Sequence, residues 1–272
     1  MLEKIKQTAA FIQNIIQETP DYAVVLGSGL GKLQNEVEAL YTINYKDIPN
    51  FPQVTVKGHV GKLIYGKIEG KKVLMMSGRF HYYEGYSMEE VTFPFRVFSV
   101  LGIKNLILSN ASGGVNPKYH VGDIVLIRDH INMMPEHPLR GKNIDELGPR
   151  FVNMAEPYNL KMIETAKQIA AQNHISVHEG VYVSLQGPTF ETPHEYGMVR
   201  ILGGDAVGMS TVPEVIVARH MDMNCFCISI ITDLGGPEIA EAVSHEDVLN
   251  AANKAMPSVI TIVKGLIKEY PL

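Results

Sequence analysis

Residues 183–214 read VSLQGPTFETPHEYGMVRILGGDAVGMSTVPE, and this stretch predicts two helix starts, one at Thr192 and one at Thr211. Each threonine is followed by a proline within two positions and by a glutamate at the third position, a pattern typical of helix caps. Helix N-termini present unpaired N–H groups and a partial positive charge, which suits an anionic ligand. On this evidence alone the stretch holds either two capped helices or two anion sites.

The composition indicates a folded globular protein. The chain has 272 residues, of which 46% are hydrophobic and 19% charged, and its net charge is −5. No basic block provides an electrostatic footprint for nucleic acid. No apolar run reaches the roughly 18–20 residues of a membrane span, and the first residues, MLEKIKQTAAFIQ, do not resemble a signal peptide. We therefore expect a cytoplasmic protein with no nucleic-acid or membrane partner.

The only two cysteines, Cys225 and Cys227, lie one residue apart in an apolar run that predicts a buried strand. Alternation along a strand puts both on one face, where a disulfide between them has poor geometry. We expect two small buried thiols. The ten histidines show no metal-ligand spacing such as H-E-x-x-H, so no metal is expected.

The pattern of apolar runs predicts one α/β domain over residues 1–272, with an extensive mixed β-sheet flanked by helices. No repeat or linker divides the chain. The predicted helices are 1–17, 88–101, 159–173, those that begin at Thr192 and Thr211, and 244–269 with a bend at Pro257. The predicted strands are 22–26, 41–45, 53–56, 61–67, 71–76, 105–109, 123–127, 180–185 and 225–231.

Several predicted strands end in loops rich in glycine, serine and asparagine. The loop 27–31 reads GSGLG and suits a phosphate, although Lys32 replaces the third glycine of a dinucleotide motif and no P-loop signature follows. Arg79 and His81 follow the strand 71–76, and both can donate to an anion. Because ligands bind at the carboxyl ends of strands in open α/β sheets, we expect these loops to converge. A tight turn or a structural Arg-x-His pair remains the alternative.

Six motifs occur in an order that closely resembles the trimeric class of purine nucleoside phosphorylases, which also includes methylthioadenosine phosphorylases. The resemblance covers about residues 20–260 and implies the nucleoside phosphorylase fold. The motifs are VLGSGLG at 25–31, GH at 58–59, GRFHYYEG at 78–85, SNASGG at 109–114, GPTFET at 187–192 and AVGMSTVPE at 206–214.

The resemblance implies phosphorolysis of a purine nucleoside by inorganic phosphate, with no metal or organic cofactor. The sugar would pass through an oxocarbenium-like state, as in glycoside hydrolysis. Two hydroxyls, a guanidinium group, imidazoles and a backbone N–H would together surround a tetrahedral anion. By family match, the phosphate-binding residues are Ser28, His59, Arg79, His81, Ala111 and Ser210.

The resemblance also assigns the residues that would contact the nucleoside. Tyr83 and Met209 would contact the ribose, and His245 would reach the 5′-hydroxyl. Glu191 would accept hydrogen bonds from N1–H and a 2-amino group, which favours guanosine and inosine, with Phe190 packing beside the base. Phe151 matches an aromatic residue that enters the neighbouring subunit's site, so a homotrimer is implied.

Asp233 departs from the family pattern. Enzymes that act on 6-oxopurines usually carry asparagine at this position, whereas 6-amino-specific relatives carry aspartate. Asp233 is expected either to act as the acid at N7 while Glu191 keeps the 6-oxo preference, or to broaden the enzyme toward adenosine. The retained Glu191 favours the first reading, so His81, Glu191 and Asp233 are the expected catalytic residues.

Three other functions remain open. The first is methylthioadenosine phosphorylase, although the polar His245 does not suit a 5′-methylthio group. A dinucleotide-dependent oxidoreductase requires an acidic residue after a second strand, and Asp47 has nearly the right spacing but precedes a predicted loop. A non-catalytic nucleoside-binding protein would bind its ligand without phosphate.

Overall fold

The computed structural model describes residues 1–55, 61–236 and 244–272. The helices are α1 (Leu2–Ile16), α2 (Met88–Val100), α3 (Leu160–Gln172), α4 (Pro193–Ile201), α5 (Val212–His220) and α6 (His245–Glu269). The strands are β1 (Tyr22–Leu26), β2 (Glu38–Asn44), β3 (Lys62–Ile68), β4 (Lys71–Ser77), β5 (Asn105–Gly114), β6 (Ile124–Asn132), β7 (Val177–Ser184), β8 (Ala206–Gly208) and β9 (Asn224–Leu234).

All strands in these described ranges belong to one mixed sheet with the order β2-β3-β4-β1-β5-β8-β7-β6-β9. Strand β9 also pairs with β5, so the last five strands of this order close into a ring. β1 is apolar along its whole length and buried at all five residues, as expected for a strand covered on both faces. The predicted α/β class with an extensive mixed sheet is confirmed.

Parallel pairing brings the carboxyl ends of β1, β4, β5 and β9 to one edge of the sheet. β1 runs parallel to β4 and to β5, and β5 runs parallel to β9. The carboxyl ends of these four strands therefore lie side by side, where the chain continues into the loop at Gly27 and into Arg79. This arrangement follows the general rule for ligand sites in α/β sheets.

Several strands are longer than predicted, among them β5 and β9. β5 continues through Asn110 to Gly114, and β9 continues through Thr232 and Asp233 to Leu234, where loops were expected. The polar side chains are tolerated because they bond across the strands: Ser229 bonds both Ser112 and Asn110. A buried strand carries polar residues when each finds a partner.

The predicted strand 53–56 is wrong for residues 53–55, which form no strand; Val56 lies outside the described residues. The backbone N–H groups of this segment bond side chains instead of a neighbouring strand. Gln53 N–H donates to the Tyr86 hydroxyl, and Thr55 N–H donates to Glu84 at 3.0 Å. The short strand β8 was not predicted.

The helix start at Thr192 is confirmed, with a complete capping box between Thr192 and Glu195. The start at Thr211 exists, but its predicted cap is wrong. Thr211 has a φ of 74°, and its side chain makes no cap hydrogen bond. Its hydroxyl instead accepts from Arg79 and Asn110, and Glu214 pairs with Arg79. Both cysteines are buried free thiols, as expected.

Candidate active site

A cavity of about 250 Å³ opens at the carboxyl edge of the sheet. Eleven of the thirteen predicted site residues line it, so the expected convergence of the strand-end loops is confirmed. They come from sequence positions more than two hundred residues apart. These lining residues are Ser28, Arg79, His81, Tyr83, Ala111, Phe190, Glu191, Met209, Ser210, Asp233 and His245.

Two predicted residues remain. His59 lies outside the described residues. Phe151 is 88% exposed and borders a separate surface cavity with His130, Arg150 and Ile216. An aromatic ring this exposed is available for contact with another molecule, so its predicted place in a neighbouring subunit's site stays a prediction.

Close approach of two backbones shapes the loop after β1. A Cβ on Gly27 would lie 2.6 Å from the carbonyl oxygen of Ser109, so only glycine fits there. The Ser109 hydroxyl ties the two strands together, since it accepts from Gly27 N–H and donates to the Val25 carbonyl at 2.9 Å. These contacts place Ser28 at the cavity beside the end of β5.

Arg79 is 1% exposed and lies at the centre of a polar cluster at one end of the cavity. Its guanidinium group donates to the hydroxyls of Ser210 at 3.0 Å and Thr211 at 3.2 Å, and to the Ser109 carbonyl. Glu214 lies 3.3 Å from the same guanidinium and is equally buried. A buried charge requires such a partner, and the sequence pattern had assigned Glu214 only to a helix cap.

His81 is oriented by Glu84, which the sequence analysis did not identify. Nδ1 of His81 lies 3.0 Å from Oε1 of Glu84, and the ring stacks on Tyr83 with centroids 4.8 Å apart. Burial acts to raise the pKa of Glu84, but hydrogen bonds from His81 and Thr55 outweigh it and lower that pKa to about 2. Burial lowers the pKa of His81, and the Glu84 bond opposes this in part.

Two carboxyl groups lie at the other end. Asp233 is buried, and its Oδ2 accepts from the Tyr196 hydroxyl at 2.8 Å while its Oδ1 accepts from Thr232 at 2.9 Å. Burial raises the pKa of Glu191 to about 7, and the nearby Asp233 and Glu195 charges add to this effect, while hydrogen bonds partly oppose it. Tyr196, another residue that sequence analysis missed, donates this bond to Asp233 and lies close enough to Glu191 to lower the pKa of Glu191 in part.

Apolar and aromatic side chains also line the cavity. Gly187 has a φ of 68°, and a Cβ there would overlap the Met209 side chain and lie 3.2 Å from the Tyr83 ring. Met209 and Tyr83 thus pack around one glycine. Phe190 is 41% exposed, and His245 begins α6 at the cavity rim.

In the parts of the chain that the structure describes, no three His, Cys, Asp or Glu side chains form a group that could hold a metal ion. Over the same residues, none of the helices combines the length and the apolar character that crossing a membrane requires.

Comparison with known proteins agrees with this geometry. Residues 21–268 match the model of the phosphorylase superfamily. A purine nucleoside phosphorylase from Geobacillus stearothermophilus is 47% identical over 265 residues, which cover 97% of each chain. The enzyme of Rattus norvegicus is 45% identical over 278 residues, covering 99% of this chain and 96% of the relative.

A solved structure shares the fold. The Schistosoma mansoni purine nucleoside phosphorylase in complex with inosine superposes with a TM-score of 0.94 at 38% identity, over 99% of this chain and 97% of that one. The chain therefore belongs to the phosphorylase superfamily. Within it, the chain is an enzyme of the purine nucleoside phosphorylase group.

Proposed function

We propose that the enzyme catalyses phosphorolysis of purine (2′-deoxy)ribonucleosides, chiefly guanosine and inosine, to the free base and (deoxy)ribose-1-phosphate. One observation carries the proposal: a single cavity joins a cluster of hydrogen-bond donors around Arg79 to the carboxyl groups of Glu191 and Asp233. The donors suit phosphate and the carboxyl groups suit a base with N–H groups. Such products fit a role in purine salvage.

The phosphate would bind at the Arg79 end. The guanidinium group supplies a positive charge, and the hydroxyls of Ser28 and Ser210 can donate hydrogen bonds to the phosphate. Ala111 can contribute its backbone N–H. Ser210 lies just before α5, so the helix N-terminus adds partial positive charge. His59 is assigned to the phosphate only by family resemblance. A His81 that donates from Nδ1 to Glu84 can accept the phosphate's O–H proton at Nε2, which increases the negative charge on the nucleophile.

That negative charge would stabilise the oxocarbenium-like sugar as the bond to the base breaks. The sugar would lie against Met209 and Tyr83, with His245 near the 5′-hydroxyl. The attacking phosphate oxygen forms the new bond to C1′, and the electron pair of the broken C1′–N9 bond passes to the base. The base needs polar partners at N1 and N7, and Glu191 and Asp233 are the groups we assign to them.

The remaining proposals rest on the sequence and the family. Residues 1–272 form one domain, and the protein acts in the cytoplasm, which suits its two free thiols. Phosphate is a co-substrate and no cofactor takes part. A homotrimer forms, in which the exposed Phe151 reaches the neighbouring subunit's site.

The test compares turnover of guanosine, inosine, adenosine and methylthioadenosine, with and without phosphate. We expect the first two to be cleaved only when phosphate is present. Turnover of methylthioadenosine alone would instead identify a methylthioadenosine phosphorylase. Binding of nucleoside without any turnover would identify a nucleoside-binding protein.

The Glu191 pKa of about 7 predicts a pH dependence. A raised pKa keeps Glu191 neutral below about pH 7, where it can no longer accept from both N1–H and a 2-amino group. We expect kcat/KM for guanosine to fall by about tenfold per pH unit below this value. Inorganic phosphate also titrates near neutrality, so Glu191→Gln is the control. An acid limb of unchanged slope and position in Glu191→Gln would contradict the assignment.

A further inference from the structure

Glu84 is a buried carboxyl group that connects two segments of the chain. Its side chain is 2% exposed. Oε1 accepts from the backbone N–H of His81 at 2.8 Å and lies 3.0 Å from Nδ1 of the same residue. Oε2 accepts from the backbone N–H of Thr55 at 3.0 Å and from the Thr55 hydroxyl. Each oxygen of Glu84 therefore holds one segment, and Thr55 can act on His81 through this carboxyl group.

These contacts determine which nitrogen of His81 carries the proton. Burial acts to raise the pKa of Glu84, but the hydrogen bonds from His81 and Thr55 outweigh it and lower that pKa to about 2. Glu84 is thus ionised near neutral pH and offers only lone pairs, so Nδ1 of His81 must donate. Burial and the Arg79 charge lower the pKa of His81, while Glu84 raises it in part. The ring is therefore neutral, with Nε2 as its acceptor.

The segment that contains Thr55 is held by two different side chains. Residues 53–55 form no strand. The Tyr86 hydroxyl accepts from the Gln53 N–H at 3.2 Å and donates to the Gln53 carbonyl at 2.6 Å. The Tyr86 ring packs edge-on against Phe80, with centroids 5.9 Å apart. Tyr86 thus anchors the segment through the backbone of Gln53, whereas the Thr55 hydroxyl contacts the catalytic histidine's partner.

Hydrogen bonds at both oxygens restrict the Glu84 carboxylate more than bonds at one oxygen would. The terminal torsion of a glutamate is broad and roughly two-fold, so a carboxylate that is bonded at one oxygen can still turn. Donation from Thr55 to the second oxygen removes this freedom, and the carboxylate then fixes the orientation of the His81 ring. Orientation matters because a catalytic base must lie within hydrogen-bond reach of the proton that it accepts.

We propose that Thr55 is a positioning residue for the reaction: by donating twice to one oxygen of Glu84, it fixes this carboxylate so that the other oxygen holds the His81 ring with Nε2 as the acceptor of the phosphate's proton. The inference rests on the proposed phosphorolysis, in which His81 has this role. It extends the catalytic machinery to a residue that contacts neither the phosphate nor the nucleoside.

The experiment measures kcat and the KM for phosphate, with inosine, in the native enzyme and in Thr55→Val. The variant loses the hydroxyl and keeps the backbone N–H. We expect kcat to fall by about tenfold, the effect of one hydrogen bond to a charged group. The KM for phosphate should change by no more than about threefold, because Arg79 and the serine hydroxyls of the cavity remain. Thr55→Ser keeps the hydroxyl and should restore kcat to within about threefold of the native value.

Tyr86→Phe is the matched control, because it releases the same segment at Gln53 and leaves both Thr55 donors in place. Its kcat should stay within about threefold of the native value. A tenfold fall in Tyr86→Phe as well would show that the segment only needs to be anchored, and would overturn the inference. Thr55 is exposed, so Thr55→Val should fold, and Thr55→Ala removes the same hydroxyl where it does not.

A double-mutant cycle tests whether Thr55 acts through Glu84. Glu84→Ala removes the carboxylate, so adding Thr55→Val to it should leave kcat unchanged. A further tenfold fall in the double variant would mean that Thr55 acts by another route, and the inference would be wrong.

Failure of the inference and failure of the proposed function give different results. If the native enzyme shows no phosphate-dependent cleavage of inosine, the proposed function itself is wrong. If the native enzyme cleaves inosine with phosphate and Thr55→Val has the native kcat, this inference alone is wrong.

Discussion

Arg79→Met is expected to lower the free energy of unfolding by about 3 kcal/mol and to raise the KM for phosphate by about 100-fold. The first effect arises because Glu214, 1% exposed, would lose the guanidinium that neutralises it. The second arises because the cavity would lose its buried cation. Urea denaturation measures the first effect, and initial rates at varied phosphate measure the second.

The double variant Arg79→Met/Glu214→Met separates the two roles of Arg79. Replacing both members of a buried ion pair by apolar residues is often neutral for stability, so the free energy of unfolding should largely recover. The KM for phosphate should stay high, because no guanidinium returns. Recovery of both quantities would show that Arg79 only supports the fold and does not bind phosphate.

Glu191→Ala is expected to lower kcat/KM for guanosine by about 1,000-fold while the KM for phosphate changes by no more than about threefold. Two hydrogen bonds to a charged carboxylate account for a loss of this size. The two ends of the cavity differ in chemistry, so a loss at the base end should leave the phosphate end intact. Steady-state kinetics with each substrate varied in turn provide the measurement.

A matched control lies nearby, in the first turn of α4. Glu195 is exposed and caps α4 through Thr192. Glu195→Ala should cost about 1 kcal/mol of stability and leave guanosine kcat/KM within a few-fold of the native value. Equal losses of guanosine and phosphate use in Glu191→Ala would mean that Glu191 supports the whole cavity and does not read the base.

Much of this fold was predictable because its strands are locally distinctive. β1 is an unbroken apolar run that is followed directly by Gly27. The backbone at Gly27 can approach Ser109 only because the residue is glycine, and a glycine after an apolar run is visible in the sequence. β5 was predicted too short for a physical reason. Asn110 and Ser112 favour loops by local propensity, and hydrogen bonds to Ser229 and Thr211, each about a hundred residues away or more, make them acceptable in a buried strand.

Contacts between residues distant in the sequence also limited what could be predicted of the site. The motif residues were predictable by resemblance, but their supporting partners were not. Glu214 has the spacing of a helix cap, and its pairing with Arg79 depends on tertiary structure. Tyr196 is separated by thirty-seven residues from Asp233, and nothing local distinguishes it from any helical tyrosine. Gly113 and Gly235 are the sequence features that relate to Tyr196, because a Cβ at either position would meet its ring. This relation becomes visible only once the three-dimensional position of the ring is known.

Phosphorolysis is tested most directly in a sample that contains inosine and inorganic phosphate, by following inorganic phosphate and ribose-1-phosphate by phosphorus NMR and hypoxanthine by absorbance. We expect a ribose-1-phosphate signal to appear in proportion to hypoxanthine, and neither product to form when phosphate is omitted. Release of hypoxanthine with free ribose in the absence of phosphate would show that the enzyme is a hydrolase and not a phosphorylase.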